Sequence, residues 1–345
     1  MFWRCRIPGM LLKSFLFCAF AMMGAGSGLA QQDMEHMVLK VGGVYYFGYG
    51  GVDLSKLRAL LPLHAGDNFS YATFDEDEAA AAVTHVTGKP PTDISEVCCD
   101  EAKKVTFYVG LAGTTSRTLP SNVPPTGADH VAPEALALYD AEMTALGLAM
   151  AAGRNGEDDS QGYTLLNDPA SHAINLKMRA YAVGREAEIT RVLEHASNVK
   201  QRQVAAALLG YVQRSSTQVS ALERAILDAD GGTRNNAVRA LAVLAAAQDA
   251  TPFEIDPNPL IALLYSGKWT DRNKASALLS RITEKENPAL LRALRQQALP
   301  VLIEGASWDE GHGIAFVLIL GRVLGVTPGS VKEMIAAGTC CGERR

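Results

Sequence analysis

Apolar residues in the C-terminal half of the chain recur at i, i+3, i+4 and i+7, the spacing that lays one stripe along an α-helix. One set of stripes runs through Val204, Leu208 and Val212, then Val238, Leu241 and Ala245, then Leu278 and Ile282. A second set alternates with it: Val219, Leu222 and Ile226; Leu260, Leu263 and Leu264; Leu291, Leu294, Val301 and Leu302; and Val331, Met334 and Ile335. Each stripe is single, so each helix needs a neighbour to cover it. Ahead of the first motif copy, Ala170–Val183 and Glu186–Ala196 form a hairpin that lacks the motif and reads as a capping repeat.

The first-set helices share a longer pattern, Arg-x-x-Ala-x-x-x-Leu. It starts at Arg202 (Ala205, Leu209), Arg234 (Ala237, Leu241) and Arg272 (Ala275, Leu279), with a weaker copy at His312 (Ala315, Ile319). Starts about 30–40 residues apart match stacked helical hairpins, none able to bury its own apolar face alone. The shared alanine lets neighbouring helices approach closely, and the leucine four places later fills the gap.

With the turn Asp228-Ala229-Asp230-Gly231-Gly232 ahead of Arg234, the pattern over about 170–338 resembles a HEAT repeat. The resemblance implies a right-handed α-solenoid in which Arg202, Arg234 and Arg272 anchor the repeats by pairing with acids along the stack. His312 departs from the pattern, as a C-terminal capping repeat would.

The N-terminal third has a different rhythm. Val38 to Phe47 is β-rich, with Val38, Lys40, Gly42, Val44 and Tyr46 expected on one face. Gly48–Gly51 is a turn, and Asp53 an N-cap before Leu54, Leu57, Leu60 and Leu61. A second helix is expected over roughly Thr73–Thr87, then strands over Ile94–Cys98 and Val105–Leu111. The acidic run Asp75–Glu78 lacks the alternating oxygen ligands of a calcium loop and suits a helix start. The strand ending in Phe47-Gly48, the Leu57–Leu60 helix and the Gly66-Asp67 turn with Phe69 resemble a POTRA domain over 37–111. That family implies an exposed sheet edge able to take a peptide strand. The expected class is therefore mainly α: a HEAT-like solenoid after a small α+β, POTRA-like domain.

Residues 112–132, with Pro120, Pro124 and Pro125, read as an extended surface linker. The helical array is expected over 133–338, with 339–345 as a tail. At the other end, Arg4, Arg6 and Lys13 precede the apolar run Phe15–Ala25, and Gly28-Leu29-Ala30 offers small residues for cleavage. Residues 1–30 are expected to be a signal peptide, placing the mature chain in the periplasm or outside the cell. Its loss removes three positive charges and takes the net charge from −5 to −8. An acidic chain without a basic tract argues against nucleic-acid binding. No later segment is long and apolar enough to span a membrane.

Chemistry is sparse. The seven histidines are scattered and form no His-x-x-x-His pair, and phosphate loops, nucleophile elbows and dinucleotide fingerprints are missing. No catalytic, cofactor-binding or metal-binding residue is predicted. Cys98, Cys99, Cys340 and Cys341 remain after cleavage and are disulfide candidates, with a thiol, redox or metal role as the rival. Trp269, Trp308, Tyr211 and Tyr265 sit at turns or helix ends, either as anchors for a partner or as fillers between repeats. The expectation is a non-enzymatic interaction scaffold that binds a protein partner. The alternative is an enzyme whose pocket gathers scattered acids with His172 or His195 on the concave face.

Overall fold

The computed structural model describes residues 38–98, 102, 104–154, 156–247, 254–285, 287–308 and 311–337. The expected signal peptide and the C-terminal tail lie outside the described residues. The fold is mainly α, with a small N-terminal sheet.

That sheet has four strands: β1 (Leu39–Phe47), β2 (Asn68–Phe69), β3 (Asp93–Val97) and β4 (Lys104–Gly110), in the order β2-β1-β4-β3. β1 and β4 run parallel, and β2 and β3 flank them antiparallel. Helices α1 (Leu54–Leu60) and α2 (Glu76–Thr87) supply the other elements. Asp53 caps α1 through Ser55 N, and Asp75 caps α2 through Glu78 N, so the acidic run is a helix start. The two-residue β2 is an addition to the expected order.

One expectation about β1 is overturned. Its pairing with β4 slips between Val41 and Gly43, a β-bulge. A bulge inserts one residue and so reverses which parity faces inward. Leu39 and Val41 before it, and Val44 and Tyr46 after it, join the core under α1 and α2. The face read as Val38, Lys40, Gly42, Val44 and Tyr46 is therefore not one face; Lys40 and Gly42 are exposed. The two glycines provide the local freedom for this switch.

The bulge and the alternation of β4 give the sheet two apolar faces. Val105, Phe107 and Val109 pack beneath the module's own helices, and Phe69, Phe74 and Phe107 meet edge-on or tilted. Phe47, Tyr108 and Val97 point the other way and belong to the core of the helical array.

The array begins with α3 (Pro133–Ala151), then a short hairpin of β5 (Glu157–Asp158) and β6 (Leu165–Leu166). There follow α4 (Pro169–Ala182), α5 (Glu186–His195), α6 (Val199–Leu209), α7 (Ser216–Ala225), α8 (Gly231–Ala246) and α9 (Pro257–Leu264). The last five are α10 (Trp269–Ile282), α11 (Pro288–Gln297), α12 (Leu299–Ala306), α13 (Gly313–Leu324) and α14 (Pro328–Ala336). The motif-bearing helices α6, α8, α10 and α13 touch in sequence and form one layer; α5, α7, α9 and α11 lie alongside as a second. Ala205, Leu209, Ala237, Leu241, Ala275, Leu279 and Ile319 are all buried where the layer closes. Seven of the twelve helix starts described in the array are capped by a side chain, from Asp168, Asn198, Ser215, Asp230, Asp256, Asn287 and Thr327.

Residues 112–132 are extended, but they are not a free tether. The chain leaves the sheet at the C-terminal repeats and runs back along the turns of the array. Arg117 N donates to Tyr265 O at 2.8 Å, Asn122 N to Leu227 O at 2.7 Å, and Gly127 N to His195 O at 2.8 Å. Linker residues five apart thus meet the turn that precedes each motif helix, one repeat at a time. Ser197 N returns a bond to Gly127 O, and the Gln201 side chain accepts from Val131 N. The prolines fall between these attachment points, where no backbone donor is required.

Candidate functional site

The three anchor arginines form a continuous ladder. Arg202 pairs with Asp228 through two bonds of 2.9 and 3.1 Å and donates to Ala196 O and Ser197 O. Arg234 does the same one repeat later, to Asp271 at 2.9 and 2.9 Å and to Asp228 O and Ala229 O. Arg272 pairs with Glu304 at 3.3 Å and donates to Ser266 O and Thr115 O. Each guanidinium therefore closes its own turn and reaches an acid of the next repeat, which suits its planar fork. The groups are almost wholly buried. Burial lowers Arg272 to about 10 and raises the Glu304 carboxyl.

Glu304 is also where the sheet module is fastened. It accepts from Gly48 N at 3.0 Å, from Gly50 N at 3.2 Å and from the Thr115 hydroxyl. Gly48 has φ +69°, and a Cβ there would meet Leu111 O at 2.5 Å, so only glycine fits this turn. Beside it Tyr108 stacks on Trp269 with centroids 4.8 Å apart, and meets Trp308 at 5.0 Å and His312 at 5.6 Å edge-on. The Trp308 indole donates to Tyr46 O, and Asp93 accepts from Trp269 N and Lys268.

This placement corrects the reading of the aromatic residues as anchors for a partner. Trp269 is 0% exposed and Trp308 4%, because both hold the sheet module onto the array. Tyr211 and Tyr265 are buried as well; Tyr265 donates to Gln297 O and carries the Arg117 guanidinium over its ring. His312 is also corrected. It stands where the other repeats have arginine, yet it is no capping residue with an open face: the module covers it, and burial lowers its pKa to about 3.

A second polar cluster lies inside the array. The β5–β6 hairpin lies against α8, and Arg239 pairs with Glu157 at 2.5 Å. Glu142 of α3 and Asp159 stand close enough to Arg239 to feel its charge. Burial pushes all three carboxyls up, Glu157 to about 7. The sequence reading passed over this cluster because Glu157 and Asp159 sit in a short polar stretch between helices, while Glu142 lies apart from them in α3. His172 and His195 do not join it: His172 bonds Leu166 O, and His195 is exposed at the end of α5.

Cys98 follows β3 and is half-buried. Cys99, Cys340 and Cys341 lie outside the described residues. Among the described residues no cluster of His, Cys, Asp and Glu has the arrangement of a metal site.

Two grooves open on the array. One, of about 680 Å³, lies between α3 and the start of α4 and is lined by Ala141, Ala145, Leu148 and Ala149 together with Asp140, Arg154 and Asp168. The other, of about 590 Å³, lies where the sheet module, the linker and the turns of the second and third motif repeats meet. No single described helix is long and apolar enough to cross a membrane.

Compared with known proteins, the sequence matches no protein family and no curated protein.

Proposed function

We propose that this chain is an exported, non-enzymatic scaffold of the bacterial cell envelope, built as a HEAT-like array with a POTRA-like module and binding a protein partner. The observation that carries this reading is the α3–α4 groove. Its lining is mostly apolar, Leu148 is 52% exposed, and Asp140, Arg154 and Asp168 line it too. Exposed apolar surface accompanied by charged groups is the composition of a protein-binding patch. Leu176 and Val183 add exposed apolar surface on the neighbouring α4 end of the array. The ladder and the pinned linker support the same reading, since a surface held in one curvature binds with less loss of entropy. Disulfides between the two cysteine pairs would further tie the C-terminus to the sheet module.

The test is in-cell crosslinking of the tagged mature protein in its native envelope, read by mass spectrometry. One dominant partner should be captured by the wild type and lost with Leu148→Asp. Equal capture by both, or none by either, removes the scaffold reading for this groove.

A second reading rests on the buried carboxyls. Acids whose pKa burial has raised are frequent in catalytic sites, so Glu142, Glu157 and Asp159 around Arg239 are where an enzyme would have its acid–base groups. Opening of the β5–β6 hairpin would be required for substrate to reach them.

A further inference from the structure

The second groove has a chemical character of its own. Among the described residues lining it are Lys89, Arg117, Arg234 and Lys268, and none that lines it is acidic. In a chain of net charge −5, this is a local reversal of sign. Two of the four cations are already neutralised: Arg234 by Asp271 and Lys268 by Asp93. Among the described residues the Lys89 ammonium donates to a carbonyl, Ala112 O at 3.3 Å, and no carboxylate pairs with it or with Arg117.

Arg117 is held for use. Its guanidinium lies 3.8 Å above the Tyr265 ring centroid, and its backbone N–H is fixed to Tyr265 O. Stacking on an aromatic face leaves the edge donors of the fork free and sets the plane in which they point. Ser116, Thr118 and Ser121 line the same groove and bring hydroxyls that can donate. Gly113 lies in the same wall; a Cβ there would come within 2.6–2.8 Å of backbone, so this stretch of wall carries no side chain. The volume is that of an ordinary small-molecule site.

We propose that this groove binds a small multivalent oxyanion, phosphoryl- or carboxylate-bearing, with Arg117 as its bidentate contact and Lys89 as its second charge. The ligand would touch the sheet module through Lys89, the linker through Arg117 and the array through Lys268. It would therefore clamp the three parts together where the linker starts along the array.

The experiment is isothermal titration of the mature protein with pyrophosphate and with citrate, each against chloride at matched ionic strength. Saturable binding at one site per chain is expected. Arg117→Ala and Lys89→Ala should each weaken it at least tenfold, Arg117→Lys should weaken it while keeping the charge, and the exposed Arg292→Ala should leave it unchanged. Pyrophosphate binding more tightly than citrate assigns a phosphoryl ligand, and the reverse assigns a carboxylate. Amide exchange over residues 113–121 should slow when either anion is bound. Absence of saturable binding with both anions overturns the proposal, and so does binding that Arg117→Ala and Lys89→Ala leave intact.

Discussion

The Tyr108 hydroxyl and His312 Nδ1 lie 2.9 Å apart across 204 residues of sequence, and both side chains are buried. With its pKa near 3, His312 is neutral at physiological pH, so the bond joins two uncharged groups. It links the sheet module to the last motif repeat, and the two tryptophans close around it. Tyr108→Ala should cost about 3–5 kcal/mol through the lost ring, and Tyr108→Phe about 1 kcal/mol through the lost hydrogen bond. Tryptophan fluorescence should shift to the red with Ala and stay put with Phe. An unshifted spectrum in Tyr108→Ala would mean the tryptophans are shielded without the sheet.

The ladder should respond asymmetrically. Arg234→Ala leaves the Asp271 carboxylate, 2% exposed as a residue, without its guanidinium, at a cost of about 3–5 kcal/mol. Replacing both partners with methionine should recover much of that, because neither charge is then left buried. Urea denaturation of the three proteins measures this. A double variant no better than Arg234→Ala would show that the pair adds more than mutual neutralisation.

Glu157 gives the fold a pH signature. Its pKa of about 7 in the folded protein stands above the unfolded value of about 4.3. Folding therefore takes up a proton between these values. The stability it adds is full below pH 4.3 and lost as pH rises through 7, on the order of 3 kcal/mol in all. His312 acts in the opposite sense: its folded pKa is depressed, so stability drains as pH falls from about 6.5 toward 3. Comparing Glu157→Gln with the wild type isolates the first effect. The variant should gain relative stability from pH 5 to pH 8, and a difference that does not change with pH would place the titration elsewhere.

Gly127 tests the pinned linker. A Cβ at this position would sit 2.5 Å from His195 O, the atom that accepts from Gly127 N. Gly127→Val should lift this stretch off the array and expose it to protease, while wild-type residues 120–128 resist cleavage. Equal cleavage in both would mean that the bonds at Asn122 and Gly127 open readily.

Leu241, fully buried at the centre of the motif layer, should cost about 2–5 kcal/mol when cut to alanine. A melting temperature unchanged within error would remove it from the core.

Periodicity carried the helices, because every stripe had to be covered by a neighbour in sequence. The N-cap Asp53 was legible because its partner, Ser55 N, lies two residues away. What was not legible involves residues far apart. Nothing near Trp269 or Trp308 announces Tyr108, so the sequence could offer only gaps between repeats, and not the sheet, as what covers them. The bulge was hidden because Gly42-Gly43 fits either parity of β1. The linker's attachment uses backbone atoms, which leave no mark in side-chain composition. One signal was available: His312, taking the place of an arginine, marked the repeat whose partner is neither Asp nor Glu but a tyrosine of another part of the chain.

The fold-back route also sets an order of events during synthesis. Tyr108 leaves the ribosome 204 residues before His312, about 10–40 s earlier at ordinary rates of elongation. For most of that interval, until Trp269 and Arg272 follow, the array-facing side of the sheet, with Phe47 and Tyr108, has nothing to close against. The nascent chain thus carries a sticky, half-finished surface until its last repeat is made, and whatever shelters that surface in the cell acts within those seconds.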